Sequence, residues 1–293
     1  MLWGAAIGDI VGSRFEFDNY KAKDFVLFGE DCTFTDDTVL TAAVADALII
    51  CRDDPGRDLA AETVEALRRW TEDFPGRDYG EMYLRWVQSD SNAPYGSFGN
   101  GAAMRVSPCG WAAASLEEAE ELARTVTAVT HSHPQAVHGA QAVAGAVYLA
   151  RTGASREKIR AYIEGNFYCL DFTLDAIRPY YTFSASTQGS VPQALEAFFE
   201  SIDFDDAVRS AVSIGGDSDT IAAIAGSVAG AFYPVPQEDI EAARGVLDPA
   251  IVSVFERFAA AFGPAVVQGR ERTCRARTSE EHADACALSR SDG

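Results

Sequence analysis

Apolar residues recur along most of the chain with the spacing of α-helices, and few segments alternate with a period of two. Residues 38–50, TVLTAAVADALII, are apolar on all sides and rich in small side chains, which predicts a buried helix. Residues 135–150 and 219–232 have the same character, so we expect these three helices to pack most closely together. Further helices are predicted at residues 59–72, 79–88, 115–129, 155–164, 191–201, 205–213 and 238–262.

Polar residues at several expected helix starts agree with this pattern. Ser115 followed by Glu118 has the spacing of a capping box, and Ser155 is a suitable cap for the helix that follows it. Pro134 suits the first turn of a helix over 134–151. With so few alternating segments, the pattern predicts an all-α protein.

Three loops rich in Gly, Asp and Asn interrupt the helical pattern, at residues 8–19, 92–108 and 213–220. Loops of this kind between rigid helices are common positions for functional sites. No tandem repeat or linker interrupts residues 1–268, which indicates one domain. Residues 269–293 are polar, of mixed charge and poor in large apolar side chains, so we expect a mobile tail there.

Composition and charge exclude several classes of protein. The chain has 293 residues, 47% of them hydrophobic, and a net charge of −20, which argues against a general binder of nucleic acid or anionic membranes. No stretch approaches the roughly 18 apolar residues of a membrane span, and the apolar N-terminus lacks the basic residues of a signal peptide. Six scattered cysteines without a zinc spacing suggest a reducing compartment, so we expect a cytoplasmic protein.

Two acidic motifs stand directly before two of the core helices: TDDT at residues 35–38 and DSDT at residues 217–220. One interpretation is helix capping, because Asp, Ser and Thr favour helix starts. A cap needs only one side chain, however, and neighbouring carboxylates repel unless a positive charge separates them. Carboxylates and hydroxyls are hard oxygen ligands that suit Mg²⁺, Mn²⁺ or Ca²⁺. If the two helix starts meet, they could hold one or two such ions.

A glycine-rich loop surrounds Asn100. Gly99 and Gly101 would let the backbone approach an anion closely, and the helical residues that follow suit a phosphate-binding loop. The same pattern also occurs in ordinary tight turns. Gly215 and Gly216 have the same two interpretations.

Histidines and one glutamate complete the candidate chemistry. His131 and His133 could form a zinc pair, but no third soft ligand lies near them in the sequence, and isolated histidines at such positions most often belong to loops or helix starts. Glu16 stands between Phe15 and Phe17. Burial there would raise its pKa toward that of a proton-transfer group, whereas a surface glutamate beside a core aromatic is the alternative.

Five motifs in this order resemble the ADP-ribosylglycohydrolase family, and the resemblance covers residues 1 to about 235. They are G-x-x-x-G-D-x-x-G-S-x-x-E at 4–16, F-T-D-D-T at 34–38, S-x-G-N-G-x-x-M-R at 97–105, T-H-x-H-P at 130–134 and G-G-D-x-D-T at 215–220. The resemblance implies a single-domain orthogonal multi-helix bundle with a cleft that holds two Mg²⁺ or Mn²⁺ ions. It implies hydrolysis of the ribosyl C1″ bond of ADP-ribosylated substrates, with release of ADP-ribose.

The resemblance also assigns residues to roles. The implied catalytic residues are Glu16, Asp36 and Asp37. The implied metal ligands are Thr35, Asp36, Asp37, Asp217, Asp219 and Thr220. The implied substrate-binding residues are Ser97, Phe98, Gly99, Asn100, Gly101, Met104, His131, Gly215 and Gly216. Candidates for stacking on adenine are Tyr95, Phe98 and Tyr233.

The implied substrate is an ADP-ribosylated protein, nucleic acid or small conjugate, and the sequence does not select the linkage. Because the net charge is −20, the diphosphate must be met locally, by backbone N–H groups, by the metal ions and by Arg105. Two alternatives stay open at this stage. The chain could be a non-catalytic binder of ADP-ribose or nucleotide on the same fold, or a metal-stabilised helical protein without ADP-ribose chemistry.

Overall fold

Helices form nearly all of the regular structure. A computed structural model describes residues 1–263, which contain fourteen α-helices and a single-turn 3-10 helix at Asn100–Ala102. No β-strand occurs in this range, where an isolated bridge joins Gly99 and Ser186. The all-α prediction is therefore confirmed, and the tail predicted for residues 269–293 lies outside the described residues. The helices are α1 (Trp3–Ser13), α2 (Asp36–Asp53), α3 (Leu59–Asp73), α4 (Glu81–Val87), α5 (Ser107–Ala112), α6 (Leu116–Ala128), α7 (Pro134–Arg151), α8 (Arg156–Asn166), α9 (Leu174–Ile177), α10 (Thr187–Glu200), α11 (Phe204–Val212), α12 (Ser218–Phe232), α13 (Gln237–Val246) and α14 (Pro249–Phe262).

Helix α12 lies at the centre of the bundle. Every residue from Ser218 to Ala229 is buried, and helices α1, α7, α10 and α11 all pack against it. Helix α2 is similarly enclosed, by α3, α5 and α14. The starts of α2 and α12 therefore lie inside the protein rather than on its surface. Among the described helices none has the length and apolarity needed to cross a membrane.

The closest helix pair is α1 with α12, and the sequence analysis missed α1. Residues 8–13 were predicted to be part of a loop, but they form the second half of this helix. A Cβ placed on Gly8 would lie 2.0 Å from the Ala222 carbonyl oxygen, so only glycine permits this approach. The expectation that helices 38–50, 135–150 and 219–232 would pack most closely together is therefore wrong. Packing against α12 outweighs the helix-weakening effect of glycine.

The helix starts predicted at the capping residues Ser115 and Ser155 are confirmed. Ser115 accepts a hydrogen bond from the Glu118 N–H at 3.1 Å, and Ser155 accepts one from Lys158 at 3.4 Å. The single helix predicted over 238–262 is wrong, because the chain breaks into α13 and α14. Asp248 caps α14 by accepting from Ala250 N–H at 2.8 Å, and Pro249 occupies the first helical position.

Candidate active site

The two acidic motifs meet at one cavity of about 370 Å³. Its walls come from the starts of α2 and α12, the loop that precedes α5, and the segment that follows α1. The structure therefore brings together two motifs that lie about 180 positions apart in the chain. The predicted site residues that line the cavity are Glu16, Asp36, Asp37, Ser97, Gly99, Asn100, Gly101, Met104, His131, Asp217, Asp219 and Thr220.

Carboxylates from three elements converge at the base of this cavity. Two groups of three carboxylates each have oxygen atoms within 4.8 Å of one another. One group is Glu16, Asp217 and Asp219, and the other is Asp9, Asp37 and Asp219. All of these groups except Glu16 are buried. Asp219 belongs to both sets, so the five carboxylates form one continuous cluster.

The cluster has no positive side chain to balance it. Within residues 1–263, no salt bridge includes any of its members. Burial, followed by repulsion from the neighbouring carboxylates, holds the pKa values of Asp36, Asp37 and Asp219 well above the ordinary value. Oδ1 of Asp37 is buried and has no hydrogen-bond partner. Buried oxygens arranged in this way fit a divalent cation, which would supply the missing charge.

Helix capping explains only part of this arrangement. Thr35 does cap α2, since its hydroxyl accepts from the Asp37 N–H at 3.3 Å. The Asp217 side chain makes no capping bond to α12. Its Oδ2 instead accepts from Asn100 Nδ2 at 2.7 Å, which connects the acidic cluster to the glycine-rich loop. Asp217 is therefore directed toward the cavity and not toward its own helix.

Asp9 is a member of the cluster that the sequence analysis did not select. It accepts from Thr35 N–H at 3.0 Å, from Thr35 Oγ1 at 2.7 Å, from Thr38 N–H at 3.1 Å and from the Thr38 hydroxyl. These bonds fix the start of α2 against α1. Burial raises the pKa of Asp9 to about 6, although the four bonds oppose that rise. A single carboxylate in an otherwise apolar stretch was the available signal.

Thr35 is the one predicted metal ligand that does not line the cavity. Its hydroxyl proton is donated to Asp9, and its oxygen also receives the Asp37 N–H. Asp36 does line the cavity, although it belongs to neither carboxylate set described above.

Glu16 lies three residues after the end of α1, and its carboxylate belongs to the cluster. Burial, then the charges of Asp217, Asp78 and Asp9, raises its pKa to about 7. Asn19 holds the Glu16 backbone in place by donating to the Glu16 carbonyl at 3.0 Å. Glu16 is half-buried and lines the cavity, so the alternative of a surface glutamate beside a core aromatic does not describe it.

Gly215 and Gly216 do not line the cavity. Both have positive φ, at 69° and 81°, a conformation that favours glycine. The Gly216 N–H donates to Asn19 Oδ1 at 2.8 Å, and its carbonyl accepts from Asn19 Nδ2 at 3.1 Å. The structure thus places the two glycines against the segment that carries Glu16.

The glycine-rich loop is anchored to the start of α10. Asn100 N–H donates to Ala185 O at 2.9 Å, and the Thr187 hydroxyl donates to the carbonyls of Phe98 and Gly99. A Cβ built on Gly101 would lie 3.5 Å from His131 Nε2. The His131 imidazole therefore lies directly against the glycine-rich loop, and both line the cavity.

The two predicted histidines have separate environments. The His131 ring is buried, lies 5.6 Å from the Tyr95 ring and lines the cavity. His133 caps α7 by accepting from Gln135 N–H at 3.2 Å, and its ring packs against Phe98. The zinc-pair interpretation is therefore not supported by this geometry.

Among the aromatic candidates, only Tyr95 lines the cavity. Phe98 is 55% exposed, and its ring packs against His133. Tyr233 does not line the cavity, and its hydroxyl donates to the Ser201 carbonyl oxygen at 2.9 Å. Phe183 lines the cavity and was missed by the sequence analysis. The aromatic run YYTF between α9 and α10 was the signal for it.

Comparison with known proteins agrees with this geometry. A sequence model of the family described as ADP-ribosylglycohydrolase matches residues 1–267. The chain belongs to this family. The resemblance drawn from the five motifs is thus confirmed, and the protein is an enzyme of the glycosyl hydrolase type.

Individual family members are similar over most of the chain. The human "ADP-ribosylhydrolase ARH3" is 27% identical over 80% of this chain and 85% of its own length. The "ADP-ribosylarginine hydrolase Tri1" of Pseudomonas putida is 30% identical over 82% of this chain and 72% of its own length. A solved structure described as an "ADP-ribosylglycohydrolase-related protein complex" has a TM-score of 0.66 at 23% identity, covers 89% of this chain and 94% of its own, and shows the same fold.

Proposed function

We propose that this enzyme hydrolyses the bond between the ribose C1″ of an ADP-ribosyl group and the group that carries it, and releases ADP-ribose in a metal-dependent reaction. The observation that carries this proposal is the cluster of unbalanced carboxylates at the base of the cavity, beside a glycine-rich loop suited to a diphosphate. Both curated relatives described above have names that refer to ADP-ribosyl hydrolysis.

The proposed cofactor is a pair of Mg²⁺ or Mn²⁺ ions. Support comes from the partnerless Oδ1 of Asp37 and from the close spacing of the carboxylate oxygens. Bound ions would supply the positive charge that orients the ribose hydroxyls and polarises the attacking water. The Thr35 hydroxyl donates its proton to Asp9, but its oxygen keeps a lone pair that could bind an ion. The proposed ligands are Thr35, Asp36, Asp37, Asp217, Asp219 and Thr220.

Proton transfer is assigned to a carboxylate of the cluster. Glu16 is the first choice, because its carboxylate lies in the cluster and lines the cavity but is not one of the proposed metal ligands, so it can hold and accept a proton. Asp36 and Asp37 are the other proposed catalytic residues, as they line the same cavity. The transition state is expected to resemble an oxocarbenium ion, and anionic groups beside the ribose would favour it.

Substrate binding is assigned to the glycine-rich loop and to other side chains that line the cavity. The backbone of Ser97 to Gly101 would hold the diphosphate, while Met104 and His131 would line the ribose side. Tyr95 and Phe183 are the proposed contacts for adenine, since both line the cavity. Gly215 and Gly216 would act indirectly, by holding the segment that carries Glu16.

The experiment is release of free ADP-ribose from arginine-linked, serine-linked and nucleic-acid-linked conjugates, each with Mg²⁺, with Mn²⁺ and with EDTA. The arginine linkage comes first because the relative from Pseudomonas putida is named for it. We expect release from a protein or small conjugate that EDTA abolishes. A sample that binds ADP-ribose but releases none from any conjugate would indicate a non-catalytic binder and contradict the proposal.

We also propose a cytoplasmic location. The support is that Cys32, Cys51, Cys109 and Cys169 are all free thiols in the described part of the chain. Cell fractionation with an antibody to the protein tests this, and recovery outside the cytoplasmic fraction would contradict it.

A further inference from the structure

Arg105 is a fully buried cation that lines the cavity, and no carboxylate within residues 1–263 forms a salt bridge with it. Its Nη2 donates to Thr130 Oγ1 at 2.7 Å, while Nε and Nη1 are enclosed and have no partner. The side-chain hydrogen bond that the structure gives Arg105 is therefore the one to Thr130.

Thr130 connects Arg105 to the imidazole of His131. Its Oγ1 lies 2.7 Å from His131 Nδ1. Since Oγ1 accepts from Arg105, its own proton is free to be donated, and Nδ1 is a far closer acceptor than the Thr127 carbonyl at 3.5 Å. This geometry favours Nδ1 as the acceptor, an arrangement in which the ring proton is on Nε2.

The Nε2 atom of His131 faces the glycine-rich loop. A Cβ built on Gly101 or on Gly99 would lie 3.5 or 3.7 Å from it, and all three residues line the cavity. Burial, followed by the nearby Arg105 charge, holds the pKa of His131 well below its ordinary value. The ring is consequently neutral near pH 7 and carries a single N–H proton. With that proton on Nε2 the atom can donate to a ligand oxygen, and without it the lone pair of Nε2 repels the oxygen.

We propose that Thr130 is a positioning residue. Oriented by Arg105, its hydroxyl keeps the proton of His131 on Nε2, where it donates to an oxygen of the bound ADP-ribosyl group. The identity of the ligand rests on the proposed function, whereas the position of the His131 proton does not depend on it. With the proton on Nδ1 instead, Nε2 would present a lone pair to the ligand oxygen and binding would weaken.

The test compares Thr130→Val, which removes the hydroxyl at nearly constant volume, with Thr130→Ser, which keeps it. Thr127→Val is the matched control, because Thr127 is buried nearby and its hydroxyl has no partner. Two quantities are measured: the protonated ring nitrogen of His131 by ¹⁵N NMR, assigned by its loss in His131→Gln, and ADP-ribose affinity by calorimetry. Thermal melting establishes that each variant is folded.

We expect Nε2–H in the wild type, in Thr130→Ser and in Thr127→Val. Thr130→Val should populate the Nδ1–H form and bind ADP-ribose roughly three- to tenfold more weakly, the worth of one hydrogen bond. Nε2–H retained in full in a folded Thr130→Val variant would overturn the inference, as would Nδ1–H in the wild type. If the wild type shows Nε2–H and no affinity for ADP-ribose, the proposed function fails and the tautomer assignment holds.

Discussion

Helix α2 carries two buried carboxylates in opposite surroundings. Asp46, in the middle of the helix, accepts from Arg69 at 2.7 Å, from Arg257 at 3.1 Å and from Trp70 Nε1 at 3.4 Å. Asp37, in the first turn, has a buried Oδ1 without any partner, and its other oxygen receives the Thr220 hydroxyl at 3.2 Å. The fold balances the first charge and leaves the second unbalanced.

The difference separates a carboxylate that is balanced within the protein from one that we propose to be functional. Asp46 connects α2 to α3 and α14 through its two arginines, so its role is complete within the protein. Asp37 is surrounded by other acids, and its charge costs free energy until something from outside neutralises it. Burial alone does not distinguish the two residues; their partners do.

The largest effect is expected on activity. Asp37→Asn should lower metal-dependent ADP-ribose release on the order of 10²-fold or more, because it removes a proposed metal ligand. Asp217→Asn should do the same. The control is Asp46→Asn, which should keep near wild-type activity at a temperature where it is folded. Full activity in Asp37→Asn, measured with excess Mg²⁺, would remove the residue from the proposed metal centre.

A second large effect should separate chemistry from binding. Glu16→Gln should slow turnover by about 10²–10⁴-fold, since a positioned proton-transfer group contributes that much. ADP-ribose affinity should change far less, because Glu16 is not part of the glycine-rich loop. Single-turnover rates and calorimetry measure the two quantities separately. An unchanged rate would exclude Glu16 from proton transfer.

The two carboxylates of α2 should have opposite effects on stability. Asp46→Asn should destabilise the protein by about 1–3 kcal/mol, since it weakens charged hydrogen bonds to two arginines. Asp37→Asn should stabilise the metal-free protein, because it removes one charge from a repelling cluster. Denaturant unfolding in EDTA measures both. Destabilisation of similar size in the two variants would contradict the comparison.

A smaller effect concerns pH. The pKa values of Glu16 and Asp9 are raised in the folded protein from 4.5 and 3.8 to about 7 and about 6. Their stabilising contribution is therefore complete below the unfolded values and is lost as pH rises to about 7. Metal-free protein should melt at lower temperature at pH 7.5 than at pH 5.5.

Mg²⁺ should reverse this trend, since it binds the deprotonated carboxylates and its stabilising effect grows with pH. Thermal melting from pH 5 to pH 8, with Mg²⁺ or EDTA, provides the check. A metal-induced gain in melting temperature that is the same at every pH would argue against binding by this cluster.

The acidic motifs and the glycine-rich loop could be identified from sequence because each is a short contiguous segment. What the sequence could not supply were contacts between segments. Helix α1 was missed because Gly4, Gly8 and Gly12 weaken a helix locally, and only packing against α12 reveals why they are there. Asp9 was missed with it. Tyr233 was an equal candidate to Tyr95 in sequence, and the fold places only Tyr95 at the cavity.

Direct measurement of bound metal tests whether the acidic cluster is a metal centre. Mn²⁺ binding is titrated by calorimetry into metal-free wild type, Asp37→Asn and Asp46→Asn. We expect about two bound ions in the wild type and in Asp46→Asn, with binding weakened at least tenfold or lost in Asp37→Asn. Equal Mn²⁺ binding in wild type and Asp37→Asn would contradict this expectation.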